Sequence, residues 1–284
     1  MRKASKWQDY EVLDAGELEK IERYNDLLIK RPELVAPWKT HRSNTKVDAH
    51  YTDQWKYFRK VEPQIITYGD MKFKVKFENS KQTGIFPEQA VNWDWMRSII
   101  KSQDQPVRIL NLFGYTGGAT IACAMENVEE VVHIDALKSS IEWTQENIEL
   151  NNLQDKKIRT IVDDVMKFVQ REKRRGRRYH GIILDPPSFG RGPKGERWKI
   201  EDQLPKLLQA VVDILDNDAL FITLNTYTTN LEPKAVEKIM NDVLRNNGIN
   251  PQTHSDTIGL PIKSTGNELP CGVTTRWCYR KDLL

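Results

Sequence analysis

The sequence predicts an α/β protein: a mostly parallel sheet of seven strands with helices on both faces, preceded by a small β-rich N-terminal unit. Three observations carry this expectation. From about Glu88 onward, short apolar runs alternate with amphipathic segments, the signature of repeated strand–helix–strand units. The apolar runs are continuous, as strands buried on both faces require. One of them, Val107–Phe113, runs into a glycine-rich turn that opens a helix, the kind of junction at which doubly wound sheets bind ligands.

The elements follow in order. In the N-terminal stretch, Tyr10–Leu13 and Leu27–Lys30 read as strands, and Gln64–Tyr68 and Lys72–Phe77 flank a Gly69-Asp70 turn as a hairpin. The polar run Lys39–Asp53 between them reads as a loop. The later strands are Val107–Phe113, Val131–Asp135, Ile158–Val162, Gly181–Leu184, Leu220–Asn225 and Thr275–Tyr279. The intervening helices are Glu88–Lys101, Ala119–Glu126, Ser139–Leu150, Val165–Lys173, Glu201–Leu215 and Lys234–Arg245, with Pro233 where a first-turn proline is tolerated. The expected division is residues 1–78 for the β-rich unit and 79–284 for the larger domain. No internal repeat or low-complexity segment breaks the pattern.

Composition narrows the class. A chain of 284 residues with 39% hydrophobic and 29% charged residues can bury a sizeable core. No window of ~18 apolar residues predicts a membrane helix. The basic start of the chain lacks an apolar stretch behind it, so no secretory signal is expected. Three scattered cysteines, Cys123, Cys271 and Cys278, form neither a disulfide framework nor a zinc motif, and fit a reducing cytoplasm; no metal is expected. The net charge of +3 says little about partners.

Four strand ends carry the chemistry. The first is Asn111-Leu112-Phe113-Gly114-Tyr115-Thr116-Gly117-Gly118, where glycine lets the backbone turn tightly and approach a ligand. Its G-x-x-G-G spacing argues against a dinucleotide pyrophosphate seated on the helix N-terminus. A tight turn without a ligand explains the loop equally well when taken alone. The second strand ends in Asp135, about 20 residues on, where a carboxylate can accept both hydroxyls of a ribose. The third ends in Asp163-Asp164, placed to reach an adenine amino group or to cap the following helix. The fourth ends in Asp185-Pro186-Pro187-Ser188-Phe189. Two prolines there withhold N–H donors and leave carbonyls to accept from a nucleophile, while Phe189 offers a face for a stacked base.

Together these segments resemble the successive motifs of class I S-adenosylmethionine (SAM) methyltransferases, which have a Rossmann-like sheet. More narrowly, Thr83-Gly84-Ile85-Phe86-Pro87-Glu88-Gln89 and Leu269-Pro270-Cys271-Gly272 with Thr275–Trp277 resemble bacterial 23S rRNA methyltransferase-like proteins. The likeness runs from about Gln82 to the C-terminus, and Glu88 stands where that group usually has aspartate. The N-terminal region matches no pattern of the group's usual RNA-binding domain. The resemblance implies SAM as cofactor and S-adenosylhomocysteine as product. It implies that Gly114 and Gly117 take the methionine end of SAM, with Asn111, Phe113, Tyr115 and Thr116 around them. Asp135, followed by Ala136, would take the ribose, and Asp164, between Asp163 and Val165, the adenine. Phe86 and Gln89 would help close the pocket. Asp185, Pro186 and Phe189 would face the methyl acceptor, with Asp185 also beside the cofactor.

The acceptor atom is narrowed by what is missing. Methylation at pyrimidine carbon 5 needs a cysteine thiolate as a covalent catalyst. Neither Asp185–Ser188 nor Leu224–Tyr227 holds one. Cys123 reads as core, and Cys271 as a late-loop residue. A base nitrogen in RNA is therefore expected, with large-subunit rRNA or a ribosomal particle favoured. The alternatives are pyrimidine carbon-5 chemistry, a protein or small-molecule acceptor, or a non-catalytic RNA-binding factor. The basic run Arg171–Arg178 could track phosphates or simply solvate a helix end. Arg191 and Lys194 are better placed for substrate phosphates, and Trp93, Trp95 and Trp143 read as packing. The sequence leaves an oligomer open.

Overall fold

An eight-stranded sheet takes seven of its strands, with most of the helices that cover it, from Val107 onward. The computed structural model describes residues 1–41, 44–191, 197–227 and 231–284, with the backbone alone at 191 and 197. The strands are β1 (Arg2–Lys3), β2 (Tyr10–Gly16), β3 (Glu19–Tyr24), β4 (Leu27–Pro32), β5 (Ala49–Tyr51), β6 (Trp55–Tyr57), β7 (Gln64–Tyr68) and β8 (Met71–Val75). There follow α1 (Ala90–Lys101), β9 (Val107–Leu112), α2 (Gly118–Ala124), β10 (Val128–Asp135), α3 (Lys138–Leu150), β11 (Ile158–Val162) and α4 (Val165–Arg174). The chain continues with β12 (Gly181–Leu184), β13 (Phe189–Arg191), β14 (Arg197–Lys199), α5 (Ile200–Val212), β15 (Phe221–Thr226), α6 (Pro233–Asn246), β16 (Thr253–Pro261) and β17 (Glu268–Cys278). Two compact units group as residues 1–91 with 258–271, and 92–257 with 272–284.

The large sheet has the order β1-β16-β17-β15-β12-β9-β10-β11. β11, β10, β9, β12 and β15 run parallel, and β17 returns antiparallel on β15. All four residues of β12 and all six of β15 are buried, as strands covered on both faces must be. The helices supply that cover with apolar stripes. In α4, Val165, Phe168, Val169 and Glu172 are buried at helical spacing, and Glu172 is admitted because the Tyr179 hydroxyl (2.6 Å) and Arg175 (3.0 Å) satisfy its carboxylate.

In the first unit, β2, β3 and β4 form an antiparallel meander extended by β5 and β6. β7 and β8 close on a two-residue turn with Gly69 at φ 60°, as the Gly69-Asp70 hairpin predicts. The inner face of this meander holds a charge. Glu22, fully buried, accepts from the Tyr10 hydroxyl (2.7 Å) and is paired by Arg31, while Lys20 lies 3.5 Å from it and 3.0 Å from Glu33. The Arg31 and Lys20 charges overcome the burial penalty and hold the Glu22 carboxyl well below the usual range.

Most expected strands and helices appear within a few residues of their expected bounds. The large sheet has eight strands rather than seven, because β1 joins its edge beside β16, and the short strands β1, β6, β13 and β14 were not anticipated. Further features differ. β3 was not anticipated, because buried Lys20 and Glu22 mask its apolar alternation. β16 was not anticipated either, since its first half is only partly buried and polar. The expected loop at Lys39–Asp53 contains the short strand β5, and its residues 42 and 43 lie outside the described residues. The helix expected from Glu88 begins as a single 3-10 turn, Pro87–Gln89, before α1.

Candidate active site

The carboxyl ends of β9, β10, β11 and β12 lie side by side, so the sheet register brings four predicted segments to one edge. β9 stops at Leu112, and the chain enters the glycine turn through two non-glycine residues in the left-handed region, Phe113 (φ 59°) and Tyr115 (φ 51°). Gly117 (φ 89°) caps α2 in the same region. Non-glycine residues held there cost ~1 kcal/mol or more each, which only surrounding contacts can sustain.

Those contacts are specific. The Gly114 amide donates to the Ile134 carbonyl (2.9 Å), tying the turn to the neighbouring strand. The Tyr115 amide donates to Asp135 Oδ2 (2.9 Å), and the Leu137 amide to Asp135 Oδ1 (2.9 Å). Asp135 thus sits at the end of β10, between the glycine loop and the start of α3. Burial pushes its carboxyl up, and the Leu137 and Tyr115 amides oppose that shift. The Ser140 side chain and the Ala136 amide also favour its charged form. The Asp163 amide donates to the Asp135 carbonyl (3.0 Å), which sets the third strand end beside the second.

Both roles considered for the third acidic pair leave their mark. Asp164 caps α4, accepting from the Lys167 amide (2.9 Å), yet it is exposed, and a carboxylate has two oxygens. Asp163 pairs with Arg171 and accepts from the Asp164 amide (2.8 Å). Ala136 is exposed, and Val165 is buried under α4.

At the fourth strand end the Asp185 amide donates to the Leu112 carbonyl (3.3 Å). Pro186 is buried, while Phe189, the first residue of β13, is 65% exposed. The Pro187 carbonyl is not free for a nucleophile, because Trp198 Nε1 donates to it (2.6 Å). The same indole packs on Phe113 with ring centroids 5.9 Å apart. Trp198 therefore links the glycine loop to the Asp-Pro-Pro segment. It went unnoticed in the sequence because nothing local ties it to β9.

Phe86 and Gln89 belong to the N-terminal unit. Phe86 is half-buried and extended (φ −114°, ψ 90°), and Gln89 is buried in the 3-10 turn that follows. Lys194 lies outside the described residues, as does the Arg191 side chain.

Other expectations resolve towards structure. Most of the basic run is engaged within the protein: Arg171 with Asp163, Lys173 with Asp213 (2.7 Å), Arg175 with Glu172, and Arg177 with Glu130. Arg178 donates to the Asp213 carbonyl. Trp93 is buried, and Trp95 stacks under the Arg276 guanidinium at 4.6 Å. Cys123 is fully buried, and burial pushes its thiol up to about 12. Burial pushes the Cys271 thiol far up as well, and its Sγ donates to the Leu269 carbonyl (3.4 Å).

A parallel sheet with a strained glycine loop after its first central strand and a carboxylate at the end of the next defines an α/β protein that binds a nucleoside cofactor. The chain belongs to the S-adenosylmethionine-dependent methyltransferase family, whose model matches residues 14–223. SAM is accordingly its methyl donor, and the chemistry of the residues fits it: a carboxylate at the end of β10 stands beside a loop whose Gly114 and Gly117 leave no room for side chains against His133 and Thr144. Among similar proteins, ribosomal RNA large subunit methyltransferase I of Erwinia tasmaniensis is 33% identical over 124 residues, 44% of this chain and 30% of that protein. Ribosomal RNA large subunit methyltransferase K/L of Shewanella frigidimarina is 28% identical over 206 residues, 72% of this chain and 27% of its own length. The chain thus spans under a third of these curated relatives. The crystal structure of a SAM-dependent methyltransferase from Agrobacterium tumefaciens matches with a TM-score of 0.91 at 33% identity, covering 98% of this chain and 93% of that one. The fold is shared with SMU.776 complexed with SAH, at a TM-score of 0.76 and 21% identity over 96% of this chain and 76% of that one.

Proposed function

We propose that this methyltransferase acts on a base nitrogen in RNA, with large-subunit rRNA or a ribosomal particle as substrate, in the cytoplasm. The observation that carries this reading is the Asp185–Phe189 segment at the mouth of the glycine loop, with an exposed aromatic face at Phe189 and a carboxylate at Asp185. The similarity to ribosomal RNA large subunit methyltransferases supports it. Among the described residues no helix is long and apolar enough to cross a membrane.

In this reading Gly114 and Gly117 take the methionine end of SAM, with Asn111, Phe113, Tyr115 and Thr116 around them. Asp135 with Ala136 takes the ribose, and Asp164, flanked by Asp163 and Val165, takes the adenine. By the same resemblance, Phe86 and Gln89 are further cofactor-binding residues. Phe189 stacks the target base, and Asp185 and the Pro186 carbonyl orient its nucleophile. When bound, SAM would supply an activated methyl group, taken up by the nitrogen as the sulfur–carbon bond breaks to leave S-adenosylhomocysteine. The proton lost from nitrogen passes to Asp185 or to solvent. Because the donor is already activated, alignment at ~3 Å is the main work left to the protein. Residues 79–284 carry this chemistry, and residues 1–78 form the β-rich unit.

A cysteine mechanism at pyrimidine carbon 5 is disfavoured, since Cys123 is core and the Cys271 thiol is held protonated. The deciding experiment is methyl transfer from radiolabelled SAM into separated rRNA, tRNA and protein from cells lacking this protein. Label in large-subunit rRNA is expected. Label confined to protein or small molecules overturns the substrate.

A further inference from the structure

Beneath the glycine loop lies a buried polar chain whose histidine and two threonines no part of the proposed chemistry uses. His133, on β10 two residues before Asp135, is completely buried. Its Nδ1 lies 2.8 Å from Thr120 Oγ1 on α2, and its Nε2 lies 3.3 Å from Thr144 Oγ1 on α3. Asn111 Nδ2, on β9, donates to Thr120 Oγ1 (3.0 Å). Thr144 Oγ1 in turn donates to the Tyr115 carbonyl (3.0 Å) or to the Ser140 carbonyl (2.9 Å). Asn147, one turn further along α3, donates to the Thr116 carbonyl (2.9 Å).

Thr144 Oγ1 gives its single proton to the Tyr115 or the Ser140 carbonyl, so it accepts from His133 Nε2, which carries the imidazole proton. In a neutral ring Nδ1 is then the acceptor, and Thr120, which accepts from Asn111, donates to it. The neutral imidazole, one donor and one acceptor, matches these partners. Burial holds the ring neutral, lowering its pKa to about 4, with the Tyr115 carbonyl opposing the shift. The groups facing the ring from β9, α2, α3 and the loop are an amide, two hydroxyls and backbone.

Space is set by the same ring. A Cβ on Gly114 would overlap His133 Cε1 and Nδ1 and stand 2.9 Å from Nε2, and one on Gly117 would lie 2.7 Å from Thr144 Cγ2. The loop backbone is thus laid directly on the imidazole and the threonine methyl. Tyr115, in its left-handed conformation, is fixed on one side by Asp135 through its N–H and on the other by Thr144 through its C=O.

We propose that His133, acting through Thr144, is a positioning residue that holds the Tyr115 peptide in the conformation SAM requires. The proposal rests on the reading of this loop as the SAM site. It extends that reading to a residue that touches no ligand.

The test is calorimetric SAM and SAH binding to the full chain at pH 7.5, with thermal unfolding measured alongside. Thr144→Val keeps the shape and removes the hydroxyl that joins the ring to the loop. It is expected to weaken SAM about tenfold while the melting temperature moves by no more than about 2 °C, roughly the scale of one buried hydrogen bond. His133→Leu is expected to weaken SAM at least as much, and His133→Gln, which retains a donor and an acceptor, to recover most of that loss. Asp135→Ala is the control for the site itself. If it weakens SAM while Thr144→Val binds within twofold of the unaltered chain, the positioning role is overturned and the site stands. If Asp135→Ala has no effect, the site reading fails with it. Affinity losses that merely track melting temperature across the variants also overturn the proposal, since they describe general destabilisation. If His133→Leu does not fold, Thr144→Val decides.

Discussion

Gly114 and Asp135 define opposite demands on the same few ångströms of chain. The first must carry nothing, because its backbone lies on the His133 ring; the second must carry a carboxylate. Gly114→Ala is expected to abolish measurable SAM binding and to cost about 1–3 kcal/mol of stability, the usual penalty for overpacking, as read by calorimetry and urea unfolding. Asp135→Ala should weaken SAM at least tenfold by removing the ribose acceptors, and unchanged affinity would refute that assignment. His133 adds a pH dependence. Its folded pKa, about 4, lies below the ordinary value of 6.5, so between these the unfolded chain binds a proton that the folded chain refuses. Stability is therefore full above pH 6.5 and falls as pH drops towards 4. From pH 7 to pH 5 the loss is about 2 kcal/mol at this residue. Urea titrations should find that loss in the unaltered chain and not in His133→Gln. Gly114, Gly117 and Asp135 were legible in the sequence because glycine and a strand-end acid are local signals. His133, Thr144 and Trp198 were not, because their importance comes from partners 11 or more residues away that only the folded sheet brings near.

Elements were read best where one physical rule dominates. β9, β10, β12 and β15 are largely buried, so their apolar runs announce them, and β11, only partly buried at the sheet edge, still carries such a run. β3 was hidden because it places Lys20 and Glu22 inward, where ion pairs replace apolar contacts. The basic end of α4 was read as open between two uses, and its ion pairs now favour the structural one. Arg177→Ala should cost about 1–2 kcal/mol, because Glu130 is almost fully buried and loses its nearest cation, though Lys157 and Arg159 remain 3.5 and 3.6 Å away. The same substitution should leave unchanged the slope of RNA affinity against salt, because the charge it removes is already engaged within the fold. A slope that falls by about one unit would return this helix end to the RNA surface.

For the whole molecule, fold and donor were legible from four strand ends, while the acceptor rests on weaker signals. Cys271→Ser is accordingly expected to leave methyl transfer to RNA intact; loss of turnover with SAM affinity retained would revive a covalent cysteine mechanism. The division of the chain bears on synthesis as well as catalysis. Residues 258–271 group with the N-terminal unit, and Arg2–Lys3 pairs with Ile258–Gly259 in β16. Residues 1–91 therefore wait, through the synthesis of more than 160 intervening residues, for the strand that pairs with Arg2–Lys3. Until then that edge stays open. A nascent chain halted before residue 258 should thus be cut by protease at Arg2–Lys3 faster than the full chain.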